Sequence, residues 1–240
     1  MGNESGEWIM YGTDANDPNR IKSVPELIQY INKIGFLPLF RNAVPGFSVE
    51  EHTLGSDWWS GDPTRDPWEW RQIIAAGGEV AYGKFFGGKA GFISLQWLPY
   101  FANWRRDGYD FDSRWEDGKA SQRSKRIMDL LAEEQMLLSS ELKQKAGFGK
   151  DGERNFEGTA TELQMQLYMV IRDFRQRTNK AGLLYGWSVA VYAMPETIWG
   201  YDLLSSAYHE APESSRDRIY CHVQNICPTA TAEQIKKLLK

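Results

Sequence analysis

The chain has 240 residues, 42% hydrophobic and 13% aromatic, ample for one large domain or two small ones. Its net charge of −4 argues against a protein that wraps DNA extensively. No apolar run nears the roughly 18 residues of a membrane span, and no Gly-x-Ser-x-Gly elbow, Walker loop or His-Glu-x-x-His pair supports small-molecule hydrolysis.

The charge is uneven. Residues 119–194 carry 12 basic and 9 acidic side chains, and the rest of the chain has a balance of −7. An anionic partner is therefore expected at the middle segment. Met1 to Glu7 is polar and glycine-rich, unlike a signal peptide, so a cytoplasmic protein is expected. Cys221 and Cys227 read as two reduced thiols. Only His222 lies near them and there is no second cysteine pair, so neither a metal site nor a cofactor is expected.

In chain order, Met1 to Lys22 reads as a tail docking through Trp8 and Tyr11. Ser23-Val24-Pro25-Glu26 has capping-box spacing and predicts a helix to Lys33, ended by Gly35. Phe36 to Phe40 is a short apolar segment interrupted by Pro38. Ser48-Val49-Glu50-Glu51 predicts a short helix containing His52, more at home as a surface or capping residue than as a base.

Four of the ten tryptophans then fall between Trp58 and Trp70, among Asp62, Arg65, Asp66 and Glu69. Asp66 fits a helix cap, Pro67 its first turn, and Gly77-Gly78 its end. Val80 to Phe86 and Ala90 to Ile93 predict a hairpin turning at Gly87-Gly88. So many charges beside tryptophan suit either a helix start packed on its own loop or a pocket with an aromatic floor. The pocket reading takes Trp58, Trp59, Trp68 or Trp70 for stacking, Asp62 or Glu69 for positioning water, and Arg71, Lys84 and Lys89 for holding phosphates. Under the other reading the tryptophans are core and the aspartates are turn and cap residues.

Ser94 predicts a helix to Arg106, followed by an Asp107-Gly108 turn and an acidic, aromatic linker over Tyr109 to Asp117. A boundary is expected near Gly118. Helices are then predicted over Ser121–Gln135, from Ser139 to Gly147, and from Thr159 to Leu167. Tyr168–Phe174 predicts a strand, Arg175–Gly182 a basic turn, and Leu184–Met194 a returning strand with Trp187, Val189 and Val191 on one side. Three helices and a basic-tipped hairpin are the winged-helix order. The third helix offers Thr161, Gln164 and Gln166 to base edges, and the wing offers Arg172, Arg175, Arg177 and Lys180 to phosphates. Winged helices also bind proteins, and Glu157 and Glu162 are unwelcome beside DNA. Pro195 predicts a helix to His209 that Gly200 weakens, Pro212 one to Ile226, and Thr231 a last one to Lys240.

The fold class expected is α+β, helix-rich, with winged-helix modules. The divisions are residues 1–118, 119–194 and 195–240, and residues 48–93 are a candidate second, degenerate module. The segments Gly35–Phe40, Trp58–Arg71, Tyr82–Phe86, Lys89–Ser94 and Phe156–Gln164 resemble a bacterial family of AlkZ-related winged-helix proteins, over residues 23–210. That resemblance implies kinship with the AlkZ and YcaQ glycosylases, which excise damaged bases from DNA using a glutamine-x-glutamine or glutamine-x-aspartate motif to position water. It implies DNA as the partner, and Gln164-Met165-Gln166 is the matching motif here. In those glycosylases the motif lies near the amino end, in a different module. Residues two apart on a helix point about 200° from each other, so the two glutamines converge on one site only where the helix ends. Asp62 is the further catalytic candidate. The other reading is a non-catalytic regulator or protein-interaction module, often a homodimer.

Overall fold

The computed structural model describes residues 10–150, 152–179 and 181–240, so the expectations for Trp8 and Lys180 lie outside the described residues. Helix α1 (Val24–Ile34) buries Leu27, Ile31 and Ile34 along one face, and the Ser23 hydroxyl accepts from the Glu26 N–H at its start. Gly35 stops it at φ +90°. The apolar segment that follows is strand β1 (Phe36–Pro38), buried throughout. The helix expected around His52 is only a 3-10 turn (Glu50–His52), and a second such turn spans Gly55–Asp57. His52 hydrogen-bonds the Tyr30 hydroxyl at 2.9 Å.

Helix α2 (Pro67–Gly77) and strands β2 (Val80–Phe86) and β3 (Lys89–Ser94) follow as the sequence predicts. β1 pairs with β3, so the first sheet runs β1-β3-β2, antiparallel throughout. Gly91 is required in β3, because a Cβ there would lie 2.5 Å from the Phe86 ring and 2.8 Å from the Leu37 carbonyl oxygen. Helix α3 (Leu98–Arg106) starts later than the Ser94 cap predicts, with no side-chain cap. The linker over Tyr109–Asp117 contains a short helix, α4 (Phe111–Glu116), capped by Asp110, which accepts from the Ser113 N–H at 2.8 Å.

The next stretch holds α5 (Gln122–Glu134), a short strand β4 (Met136–Leu138), α6 (Ser139–Lys145), α7 (Phe156–Met165), β5 (Val170–Thr178) and β6 (Leu184–Ala193). α7 begins three residues before the expected Thr159 cap, because Asn155 turns the chain at φ +67° and the Thr159 hydroxyl bonds back to the Asn155 carbonyl. β5 runs on to Thr178, so Arg175 and Arg177 lie on a strand rather than in a turn. The second sheet runs β4-β6-β5.

Both stretches therefore repeat one order. A helix leads to a short strand, then helical turns, a second full helix and a hairpin, and the short strand pairs with the hairpin's returning strand. The first copy of this order is reduced to 3-10 turns at its middle helix, and the whole is an α+β, helix-rich fold with two small antiparallel sheets. The expected carboxyl-terminal helix is split at Gly200 (φ +84°) into α8 (Pro195–Trp199) and α9 (Tyr201–Ser205). α10 (Pro212–Ile226) and α11 (Ala232–Leu238) close the chain. α10 lies on α3, where the Asn103 amide donates to the Glu210 carbonyl at 3.1 Å and to the Ser215 hydroxyl at 3.0 Å. His222 stacks on Trp97 with ring centres 4.0 Å apart and bonds the Ile34 carbonyl, a structural role.

The repeats are joined through their sheets. β2 packs on β5 and α7, and α2 packs on β5. One hydrophobic cluster runs from Ile21 to Leu239 through both. No helix among the described residues is long and apolar enough to cross a membrane.

An aromatic cleft beside an uncovered wing

The loop before α2 is tied by Asp66. Its carboxylate is buried and accepts from the backbone N–H of Trp59 (3.1 Å), Gly61 (2.9 Å) and Trp68 (2.8 Å). The last of these caps α2, and the first two fold the loop back over its start. Trp59 is held at φ +59°, a conformation a bulky residue adopts only when its surroundings enforce it. Trp58 turns inward and donates from its indole to the Thr53 hydroxyl at 3.0 Å, which makes it core rather than pocket. Asp62 closes a separate turn. It accepts from the Thr64 N–H (3.0 Å) and hydroxyl (2.7 Å), bonds that hold its pKa below the usual carboxylate value. It lies outside the cleft described next.

That cleft, of about 430 Å³, is lined by Trp59, Asp66, Trp68, Glu69, Arg71 and Gln72, and by Trp187 reaching over from β6. Arg71 lies in its wall. The guanidinium carbon sits 3.6 Å from the centre of the Trp68 ring and 4.4 Å from that of Phe174. The residue is 7% exposed, and one terminal nitrogen is buried with no hydrogen-bond partner among the described residues. Among the described residues, no carboxylate lies within ion-pair distance of it. Burial lowers the Arg71 pKa, opposed by nearby Tyr82, Glu69 and Asp66, and burial pushes the Tyr82 phenol up to about 12. Glu69 is steadied by Gln72, whose amide donates to it at 2.7 Å.

The residues expected to read DNA from the third helix go elsewhere. Gln164 is fully buried. Its Oε1 accepts from the Lys84 N–H and its Nε2 donates to the Ala160 carbonyl, each at 3.1 Å. It thus joins α7 to β2, with no exposed surface to offer a base edge in this structure. Gln166 bonds Glu162 at 3.3 Å on the rim of a second groove, with Arg105, Glu157, Thr161 and Met165. The two glutamines do not converge. In Arg105, burial lowers the guanidinium pKa to about 10. Lys84 donates from Nζ to the Thr161 hydroxyl at 3.3 Å, away from the tryptophans, and Lys89 is exposed at the start of β3. Replacing Gln164 by alanine is expected to cost about 1–3 kcal/mol of stability while duplex binding of the folded variant stays within two-fold of the parent. Urea melts and anisotropy on the same preparation check it. A stable variant that no longer binds DNA would restore Gln164 to the interface.

The wing residues also part company. Arg172 caps the carboxyl end of α2, donating to the carbonyls of Ala75 and Ala76, where a guanidinium suits the helix dipole. It fastens the end of α2 to β5. Arg175 pairs with Asp173 at 2.7 Å, and Arg177 lies 5.4 Å from the centre of the Tyr185 ring. Both are exposed. Beyond them the hairpin is uncovered, with Leu183 and Leu184 each 65% exposed and Trp187 91% exposed.

Trp187 is a cleft residue that the strand alternation did not single out. Alternation puts it on one side with Val189 and Val191, as expected, but burial along β6 falls off with distance from the sheet's base instead of by face. Glu196 was missed outright. It pairs with Arg106, 1% exposed, at 2.5 Å, and Arg106 also donates to Tyr208 and to the Leu167 carbonyl. Burial opposes the Arg106 charge, but Glu196 and Tyr208 outweigh it and raise its pKa.

Two repeats of one element order, packed sheet to helix with an aromatic cleft at the foot of the second hairpin, define an α+β, helix-rich protein with two small antiparallel sheets. The chain belongs to the AlkZ-related family, whose model matches residues 21–240. No protein of curated function matches it.

Proposed function

We propose that the chain binds DNA, and that it does so through the outer half of the β5–β6 wing and the cleft at its foot. The observation that carries this reading is the uncovered wing itself. Arg175, Arg177, Tyr185 and Trp187 are exposed on a hairpin to which the described residues give no cover. Arginine and aromatic side chains together suit a phosphate backbone and its bases. The acidic α7 face, with Glu157 and Glu162, does not.

Excision of a damaged base is the activity that kinship with the AlkZ group favours. Stacking walls and a water-positioning group are what it requires. Trp59 and Trp187 supply the walls, and Glu69, steadied by Gln72, is the carboxylate placed to hold water. The buried Gln164 and turn-bound Asp62 favour the second reading, a binder without chemistry.

Fluorescence anisotropy with a short duplex, intact or carrying an abasic-site analogue, tests binding at low and physiological salt. Reversing Arg175 and Arg177 to glutamate is expected to weaken binding by roughly 100-fold at low salt and to reduce the salt slope by about 2. An unchanged slope would remove the wing from the interface. Release of an alkylated base by the parent, lost in Glu69→Gln, would establish excision. Binding with no release would leave the non-catalytic reading.

A further inference from the structure

The cleft beneath Trp187 contains a buried cation with no carboxylate partner among the described residues. A buried arginine is ordinarily paired, because an unmade bond to a charged donor costs more than one to a neutral donor. Arg71 has aromatic rings against it and one terminal nitrogen without a partner among the described residues. The neighbouring acids favour its charge from a distance, but among the described residues neither forms an ion pair with it. Asp66 is occupied by three backbone N–H groups, and Glu69 is held by Gln72. Stacking on Trp68 and Phe174 fixes the plane of a guanidinium that lines the cleft, and a planar guanidinium suits a two-oxygen acceptor.

The walls narrow the class of acceptor. Trp59 and Trp187 are both exposed at the cleft, one from the loop before α2 and one from the wing. At about 430 Å³ the cleft falls in the size range of small-molecule sites. The Glu69–Gln72 pair on its rim offers an acceptor and a donor to the edge of a heterocycle.

We propose that this cleft receives a nucleoside phosphate, with the phosphate on Arg71, the base between Trp59 and Trp187, and the base edge at Glu69 and Gln72. The proposal rests on the DNA reading for the class of ligand, and it assigns the cleft to a single nucleotide and its phosphate. That phosphate could be borne by a free nucleotide or by a strand end, and the two are separable by experiment.

Tryptophan fluorescence of the full chain is titrated with deoxyadenosine monophosphate, deoxyadenosine and inorganic phosphate. Saturable quenching by the monophosphate is expected, at least ten-fold tighter than by the nucleoside. Arg71→Met, which keeps an apolar stem against Trp68 and Phe174, is expected to abolish that preference and leave nucleoside binding in place. Trp187→Ala removes an exposed side chain with little risk to folding, and is expected to weaken both nucleoside and nucleotide at least five-fold. A short single strand with a 5′-phosphate, compared with the same strand lacking it, separates the sources. Preference for the phosphorylated strand over the free nucleotide assigns the site to a strand end, and the reverse assigns it to a nucleotide. Equal quenching by nucleotide and nucleoside, or none, overturns the proposal. If a duplex still binds in that case, the DNA reading survives alone. If the nucleotide binds and no duplex does, the cleft stands and the DNA reading falls.

Discussion

Asp66→Ala is expected to destabilise the protein by about 4 kcal/mol, which for a chain of this size lowers Tm by roughly 10 °C. The estimate combines two losses. Removing the α2 cap costs about 1 kcal/mol, and leaving the Trp59 and Gly61 N–H groups without their acceptor costs about 1–3 kcal/mol each. The latter are partly buried, which keeps the total toward the lower end of the summed range. Asp66→Asn retains one side-chain oxygen and the capping geometry, and is expected to lose about half as much. Thermal melts followed by circular dichroism check both. Nucleotide quenching should fall in the alanine variant even where it remains folded, because Trp59 then has no reason to hold φ +59°. A loss under 1 kcal/mol would mean that the loop is fixed by its tryptophan packing alone.

The second large effect is at Arg106–Glu196. Glu196→Gln removes the carboxylate from a guanidinium that is 1% exposed, and is expected to cost about 3–5 kcal/mol. The Leu167 carbonyl and Tyr208 still accept from Arg106, but neither carries the compensating charge. Replacing both partners with apolar residues of similar volume is expected to restore most of the loss, because no uncompensated charge then remains buried. Urea unfolding should show the midpoint move with little change in slope. A single variant as stable as the parent would show that water reaches Arg106.

The contrast between these two sites explains what was legible in the sequence. Asp66 was readable as a cap because capping is local, resting on a side chain, a proline and a glutamate within four residues. The first and second hairpins, α1 and α5 were readable for the same reason. Glu196 was not, because its partner lies 90 positions away and nothing in either neighbourhood marks the pairing. Gln164 shows the cost of reading a motif without its surroundings. A glutamine on a third helix reads as a DNA contact until β2 of the other repeat is laid across it. Arg172 is similar, since a basic residue on a wing strand looks the same in sequence whether it faces phosphate or the end of a neighbouring helix. β4 was too short to announce itself, and the 3-10 turns standing for the first repeat's middle helix carry no periodicity. At the cleft, Trp59, Trp68 and Arg71 were picked out by composition, and Trp187 required the hairpin's length.

The uncovered outer wing divides the chain's freedom to change. From Ile21 to Leu239 the buried side chains form one interior, and a substitution there is felt by both repeats. Residues 175–188, apart from the undescribed position 180, are exposed and add nothing to that interior. Replacements at such positions ordinarily alter stability by less than about 0.5 kcal/mol. Related chains can thus diverge at the hairpin's end, altering what they hold and how tightly, without renegotiating the fold that carries it.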